Sequence, residues 1–484
     1  MTNHKQIWEA DKRHWMHPWT HFESFQQEGS LILSRARGSR LWDSNANSYF
    51  DAVGGLWCTN IGLGREEMAE TIAEQVRQLA YANPFVDMAN EPAVALAEKL
   101  AQLAPGDINR VFFTCGGSTA VDTAFRLIHF YQNCRGMPHK KHIIARRGGY
   151  HGSTYAAMSI TGKSGDRIAE FDYISDTIHH LSCPNYYRAP EGMDEQQFCD
   201  SLVEEFQQKI DQLGADKIAA FFAEPILGSG GVIVPPADYN RRMWELCKAN
   251  DILYVADEVV TAFGRVGHWF ACEEMFGVQP DIITCAKGLT SGYLPLGATL
   301  FSDRIYEVIS SGDSDRYFAS GFTYSGHPVA CAAALKNIEI IERENLLQRV
   351  VKVGAYFEER LQTLRELPLV GDVRGKRFMM CVENVRDKNT REVFPDSLNI
   401  GKWISDRAEE AGLIVRPIVH LNVMSPPLTM DYQEVDFVVE RLGQAILQTH
   451  SDLVAEGHLP APSGAVAGAI SGSASASIAG SLPA

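Results

Sequence analysis

Asp257 and Lys287 stand 30 residues apart in matching settings, the first after the apolar run at 252–256 (ILYVA), the second after the run at 282–286 (IITCA). If both runs are strands of one sheet, the two side chains emerge at the same edge. A carboxylate in that place keeps a pyridine-type nitrogen protonated. A lysine among apolar residues has a weakened, nucleophilic amine that condenses with an aldehyde. Each residue alone also fits a helix cap or a solvated loop, but as a pair they point to pyridoxal phosphate chemistry.

Two further stretches suit such a cofactor. Thr114-Cys115-Gly116-Gly117-Ser118-Thr119 lies between a strand-like and a helix-like segment. Backbone N–H groups and hydroxyls at a helix start can surround a phosphate, although an ordinary glycine-rich helix cap gives the same pattern. The lysine of a nucleotide-binding P-loop is missing, so ATP and GTP are not indicated. In 148–154 (GGYHGST), Tyr150 is flanked by glycines that allow close backbone approach, and its ring could lie on a flat heteroaromatic group. Val259, two residues after Asp257, would pack on the opposite ring face or belong to the strand's own core. No base is arranged beside Cys285, which reads as packing.

The elements that must hold these residues alternate. Short apolar runs at 110–114, 142–145, 218–223, 252–256 and 282–285 are the kind buried in a parallel sheet, with helical stretches at 119–131, 193–212 and 239–249 between several of them. This rhythm predicts an α/β sandwich with Glu224, Asp257 and Lys287 at the carboxyl ends of strands, where such sheets keep ligands. After 335 the pattern changes to helices at 332–342 and 346–366, a strand pair at 378–382 and 413–415, and a last helix at 432–448. Residues 1–64 and 336–457 are expected to form one small α+β domain around a large domain at 65–335, with a flexible Ala/Gly/Ser-rich tail at 458–484.

Composition narrows the setting. With 484 residues and 45% hydrophobic content, the chain can bury a large core and exceeds the usual size of one domain. A net charge of −16 without any lysine-arginine block argues against a nucleic-acid partner. The polar start lacks a signal-peptide core and no run of 18 apolar residues occurs, so a cytoplasmic protein without membrane association is expected. Ten scattered cysteines suit a reducing compartment and suggest neither disulfides nor a metal site.

Four segments carry a resemblance: FFAEPILGSGGVIVPP from 221, ILYVADEVVTAFGRVG from 252, PDIITCAKGLTSGYLPLGA from 280 and GFTYSGHPVACAAAL from 321. The chain resembles a class III (omega-amino acid or amine:pyruvate) aminotransferase of pyridoxal-phosphate fold type I, from about residue 7 to 450. That resemblance implies a mostly parallel seven-stranded sheet in the large domain. It makes Lys287 the cofactor-binding lysine, Asp257 the partner of the ring nitrogen, Tyr150 and Val259 the groups on the two ring faces, and Gly117 with Ser118 the phosphate grip. His151 and Glu224 join the cofactor site. Phe322 and Thr323 would complete the phosphate site of a neighbouring subunit, so a homodimer or a tetramer is implied. Trp57, Phe85, Tyr150 and Phe322 would wall the substrate pocket, and Arg416 resembles the mobile arginine that grips a carboxylate in one half-reaction and withdraws in the other, as its planar fork and long stem allow.

The chain departs from the family at two places. Where the family usually has Ser-Gly-Ser-Glu-Ala-Asn this sequence has GGSTAV at 116–121, and Gly62-Leu63-Gly64 stands where Gly-His-Gly is frequent. The cup thus loses a hydroxyl at 116 and an acid at 119. The implied reaction is ping-pong transfer of an amino group to pyruvate, with Lys287 as base. An aminomutase or racemase would use the same lysine and aspartate, and a non-catalytic scaffold would need neither. Diamines, omega-amino acids, taurine and arylalkylamines all stay open as donors, because one methylene alters selectivity by only about 1–3 kcal/mol.

Overall fold

A computed structural model describes residues 4–460 apart from 86, 313 and 314. Seven strands form the central sheet: β1 (Ile108–Thr114), β2 (His142–Arg146), β3 (Ile178–Leu181), β4 (Ile218–Ala223), β5 (Leu253–Asp257), β6 (Ile282–Cys285) and β7 (Gly297–Ser302). Their spatial order is β1-β7-β6-β5-β4-β2-β3. Only β7 runs against its neighbours; every other pairing is parallel. Strands β4 to β7 are buried at every position, which is why β4, β5 and β6 read as apolar runs rather than alternating ones.

Register brings the chemistry to one edge. Ala223 of β4 lies opposite Ala256 of β5, and Asp257 opposite Thr284 of β6, so Glu224, Asp257 and Lys287 leave the sheet at nearly the same level. Helix α1 (Gly117–Cys134) follows β1 and packs on the sheet through Val121, Ala124, Leu127 and Ile128. Helix α2 begins two residues later than its apolar pattern suggests, spanning Glu195–Leu213. There Asp194 and Gln197 form a reciprocal capping box that fixes the start. Helix α3 (Tyr239–Ala249) occupies the expected residues.

Helix α4 (Pro328–Arg343), with proline in its first turn, leads out of the large domain toward α5 (Leu346–Gln362). The stretch expected as one helix over 346–366 breaks into a 3-10 turn at Thr363–Glu366. The last helix, α6 (Tyr432–Ala455), runs one to two turns past 448 because Thr449 and Leu453 are still buried. The strands expected to pair near 380 and 414 belong to different sheets. Met379–Asn384 lies between Val370–Lys376 and Leu421–Met424, whereas Leu413–Ile414 runs parallel to Ser48–Asp51. The second pairing joins the beginning of the chain to its end. No helix among the described residues is long and apolar enough to cross a membrane. The expected flexible tail lies, from 461 onward, outside the described residues.

Candidate active site

Asp257, the last residue of β5, is 4% exposed. Its Oδ2 lies 2.7 Å from His151 Nδ1, and its Oδ1 accepts the Val259 N–H at 3.2 Å. Since an ionised carboxylate only accepts, the imidazole donates. His151 is itself held by its backbone N–H, which donates to Thr161 Oγ1 at 2.9 Å. Glu224, directly after β4, accepts the Tyr150 N–H on Oε1 at 2.9 Å and the Gly228 N–H on Oε2 at 2.7 Å. Burial raises the Glu224 pKa, His151 counteracts this, and the charge of Asp257 adds to it. Glu224 therefore fixes the loop that presents Tyr150 and His151.

Lys287, two residues past β6, has a left-handed φ of +39°. The turn is locked by its neighbour: a Cβ on Gly288 would stand 2.4 Å from Asn60 Nδ2. Asn337 Nδ2 donates to the carbonyls of Gly288 and Leu289 at 2.8 and 3.0 Å. No hydrogen bond or ion pair among the described residues engages Lys287 Nζ. Burial lowers its pKa, and the charge of Asp257 opposes that shift. An unpaired amine with weakened basicity is a nucleophile in waiting.

The phosphate cup is built by close packing. A Cβ on Gly117 would come within 3.0 Å of Val259 Cγ1, so glycine lets Val259 sit against the start of α1, beside Asp257. At Gly152, with φ +134°, a Cβ would meet Ser118 Oγ at 2.6 Å. Ser118 Oγ accepts the Ser153 N–H at 3.1 Å and keeps its own proton to donate. Thr119, which replaces the family's acid, turns its hydroxyl inward: it donates to the Gly116 carbonyl at 2.9 Å and accepts the Cys115 N–H at 3.2 Å. Gly116 has nothing within 4 Å of a built Cβ, so the space for the lost hydroxyl is open. Free N–H groups at the start of α1, a donating hydroxyl, a carboxylate at the end of β5 and an unpaired lysine fit a phosphorylated pyridine aldehyde.

Around this wall the substrate residues divide. Trp57 is buried with a left-handed φ of +65°, its indole beside the Glu224 loop, where a Cβ on Gly228 would meet Trp57 Cζ3 at 3.5 Å. Its Nε1 has no hydrogen-bond partner. Arg416, in the strand Arg416–Ile418, is half-buried, and its side chain forms no hydrogen bond or ion pair among the described residues. Burial lowers its pKa, against the charges of Asp166 and Tyr150. Tyr150 carries the ring of Trp19 edge-on at a centroid distance of 5.9 Å. Trp19 and Asp166 were not among the residues singled out from sequence; one of three tryptophans in a polar opening segment gives no local sign of a partner 131 residues on.

Phe85, Phe322 and Thr323 lie elsewhere. Phe85 is 46% exposed and packs on Gly321, whose built Cβ would be 3.3 Å from Phe85 Cζ, while Tyr81 Oη donates to the Thr323 carbonyl at 3.0 Å. No hydrogen bond, ion pair or ring contact among the described residues links these three to Lys287, Asp257 or Ser118.

The model of the class-III aminotransferase family matches residues 24–446. This chain is a class-III aminotransferase. A putrescine--pyruvate aminotransferase of Pseudomonas aeruginosa is 39% identical over 458 residues, covering 94% of this chain and 99% of the relative. Among solved structures, an (S)-enantioselective omega-transaminase from Thermomicrobium roseum superposes with a TM-score of 0.90 at 40% identity, over 93% of this chain and 99% of that one. The omega-transaminase of Pseudomonas jessenii in complex with PMP reaches 0.89 at 37% identity, over 92% and 98%. The aminotransferase described here has the fold type I architecture and depends on pyridoxal 5'-phosphate.

Proposed function

We propose that this aminotransferase is an omega-transaminase moving the amino group of a primary amine, diamine or omega-amino acid to pyruvate, with an aldehyde or ketone and alanine as products. The observation that carries this reading is Arg416. Its half-buried guanidinium has no side-chain partner among the described residues, which leaves a free two-pronged donor suited to a keto-acid carboxylate, and its charge acts on both Tyr150 and Lys287. The pyruvate and amine wording of the relatives supports the same donor and acceptor.

In this reading Lys287 Nζ holds the cofactor, Gly117 and Ser118 its phosphate, and Tyr150 and Val259 the two faces of its ring. The bound cofactor supplies an electron sink that stabilises negative charge at the carbon bearing the amine. Lys287 Nζ, released when the donor binds, takes the proton from that carbon and later returns it. Asp257, anchored by His151, keeps the proton on the ring nitrogen. Trp57 excludes water from the donor side. Asp257, Glu224 and Lys287 thus act at one strand edge, while Arg416 selects the acceptor.

The rim supports a homodimer. Tyr81, Phe85 and Tyr324 are 43%, 46% and 59% exposed, and the rings of Tyr81 and Tyr324 lie 6.2 Å apart. Such an apolar patch asks for a partner, and a second copy would bring Phe322 and Thr323 to its phosphate cup. Residues 1–64 and 336–457 form the small domain in this account, supported by the pairing of Ser48–Asp51 with Leu413–Ile414. A cytoplasmic location agrees with ten unpaired cysteines. The test is a panel of amines with pyruvate, following alanine. Alanine formed with a diamine, an omega-amino acid or an arylalkylamine is expected; no alanine from any of them, with turnover restored by another keto acid, would overturn the acceptor.

A further inference from the structure

Arg265 carries a charge into the core with no anion to meet it. The residue is 0% exposed and forms no ion pair among the described residues. Burial pulls its pKa down to about 10, so the fold holds a cation that its surroundings disfavour. The guanidinium spreads over three neutral oxygens from three separate segments. Nη1 donates to the Phe378 carbonyl at 3.2 Å and to the Pro426 carbonyl, while Nη2 donates to Asn60 Oδ1 at 2.7 Å. Phe378 and Pro426 border the strands Met379–Asn384 and Leu421–Met424, neighbours in the C-terminal sheet.

Asn60 passes this anchoring on to the lysine turn. Its Nδ2 donates to the Phe263 carbonyl at 2.8 Å, and its own carbonyl accepts the Leu428 N–H at 2.8 Å. Gly288 is closed in between the two: a Cβ there would stand 2.4 Å from Asn60 Nδ2 and 3.2 Å from Phe263 Cβ. The next residue, Ile61, donates its N–H to Ser291 Oγ at 3.2 Å, a second hold on the same turn. A continuous line of contacts therefore runs from two carbonyls of the C-terminal sheet through the guanidinium and the Asn60 amide to the residue after Lys287.

Well-packed apolar side chains commonly stabilise a core as well as a buried charge does, so stability gives no reason for an arginine here. A planar fork that fixes three segments at set angles does. We propose that Arg265 is the positioning residue for the Lys287 amine: through Asn60 it ties the lysine turn to the C-terminal sheet, so that a shift of that sheet moves the amine. The proposal rests on the reading of Lys287 as the lysine that holds the cofactor.

Two amides report on the turn, since the Leu289 and Thr290 N–H groups donate to the Ala286 and Lys287 carbonyls at 2.8 and 3.3 Å. Their hydrogen exchange is followed by mass spectrometry of the full-length holoenzyme. Arg265→Met is expected to speed it by at least about 10-fold, the equivalent of one lost charged hydrogen bond. In single turnover with butylamine the limiting rate should fall by about 10- to 100-fold through misplacement of the amine, at an unchanged half-saturating concentration. Arg265→Lys keeps the charge without the three-way reach and should retain both losses. Arg374→Met cuts a different tie of the same sheet, from Arg374 Nε to the Gly231 carbonyl at 2.8 Å, and should exchange like wild type. Asn60→Ala should speed exchange as Arg265→Met does, and the double variant should add nothing further. If Arg265→Met does not accumulate as folded protein, Asn60→Ala beside Arg374→Met carries the test. The proposal is overturned if lysine restores wild-type behaviour, if Arg374→Met loosens the turn equally, if the two single effects add, or if only the half-saturating concentration changes. Borohydride labelling of the wild-type holoenzyme keeps the two claims apart. A label at Lys287 with unchanged exchange in Arg265→Met and Asn60→Ala sinks the tie alone, and a label on another lysine sinks the reading of Lys287.

Discussion

At the ends of β4, β5 and β6 the two carboxylates are held oxygen by oxygen, whereas along the rim carrying Phe85 and Thr323 aromatic rings stand in solvent and two side-chain hydrogen bonds to carbonyls, from Tyr81 to Thr323 and from Asn90 to Gly326, tie the two loops. Both regions carry residues that the family resemblance places in the cofactor and substrate sites. The wall is over-determined: Asp257 has His151 and Val259, Glu224 has Tyr150 and Gly228, and the Lys287 turn is fixed through Gly288, Asn60 and Asn337. Every contact that holds Asp257, Glu224 and the Lys287 turn is thus supplied by one polypeptide. The rim has no such internal reason for its conformation, and its exposed rings acquire one only against another surface. In the proposed reading, precision at the reacting atoms comes from within the fold and closure of the site from assembly.

The largest effect belongs to the wall. In the proposed reading, Lys287→Ala removes both the amine that holds the cofactor and the base that moves the proton. Base catalysis alone contributes about 10²- to 10⁴-fold, so steady-state transamination should vanish into the background. A variant that turns over at the wild-type rate would separate the wall from the chemistry altogether. Arg416→Ala comes next. A charged hydrogen bond is worth roughly 1.5–3 kcal/mol, or about 10- to 150-fold in the specificity constant for pyruvate. Single-turnover measurements should show that loss with pyruvate and little with an uncharged amine. Equal losses would assign Arg416 to general support of the site.

The rim is tested by Tyr324→Glu, which sets a charge in the exposed aromatic patch without touching the wall. Sedimentation should show dissociation, with activity falling as the dimer is lost and cofactor retained less tightly, because a ligand bridging two subunits stabilises the assembly by mass action. A fully active monomer at the same concentration would erase the distinction between wall and rim.

How much of this was legible depended on the range over which a signal acts. Lys287, Asp257 and the cup could be read because each is a polar or glycine-rich break directly after an apolar run, and burial of β4 to β6 on both faces keeps the runs before Asp257 and Lys287 apolar. Helix α3 was legible for a similar reason, since its buried positions Tyr239, Asn240, Met243 and Cys247 recur with helical spacing. Contacts between distant segments left no such trace. Asn60 and Asn337, which clamp the lysine turn, lie more than 40 residues from it, and neither looks unusual locally. Trp19 and Asp166 meet across 147 residues of chain. The strands near 380 and 414 were assigned to one pair because short apolar runs carry no mark of their partner. Thr119 looked like a loss from the cup, and its inward hydroxyl shows that the residue maintains the turn instead.

The smallest effect is one of stability. Burial lowers the Lys287 pKa from its ordinary 10.5. Between the folded value and 10.5 the unfolded chain binds more protons than the folded one, so this group makes wild-type stability rise with pH across that window, and its cost is fully present below it. Cofactor-free Lys287→Met should therefore melt above wild type at neutral pH, and the gap should close as the pH approaches 10.5. A gap independent of pH would mean that packing, and not the buried charge, separates the two proteins.

The central claim is that the amine at the end of β6 is the one that holds the cofactor. Borohydride treatment of the enzyme loaded with pyridoxal phosphate fixes the cofactor's aldehyde carbon to whichever amine carries it, and peptide mass spectrometry then locates the added mass. The account predicts one modified peptide, labelled at Lys287, with the label prevented when the amine donor is added first. A label on any other lysine, or a uniform low level across several, would contradict it.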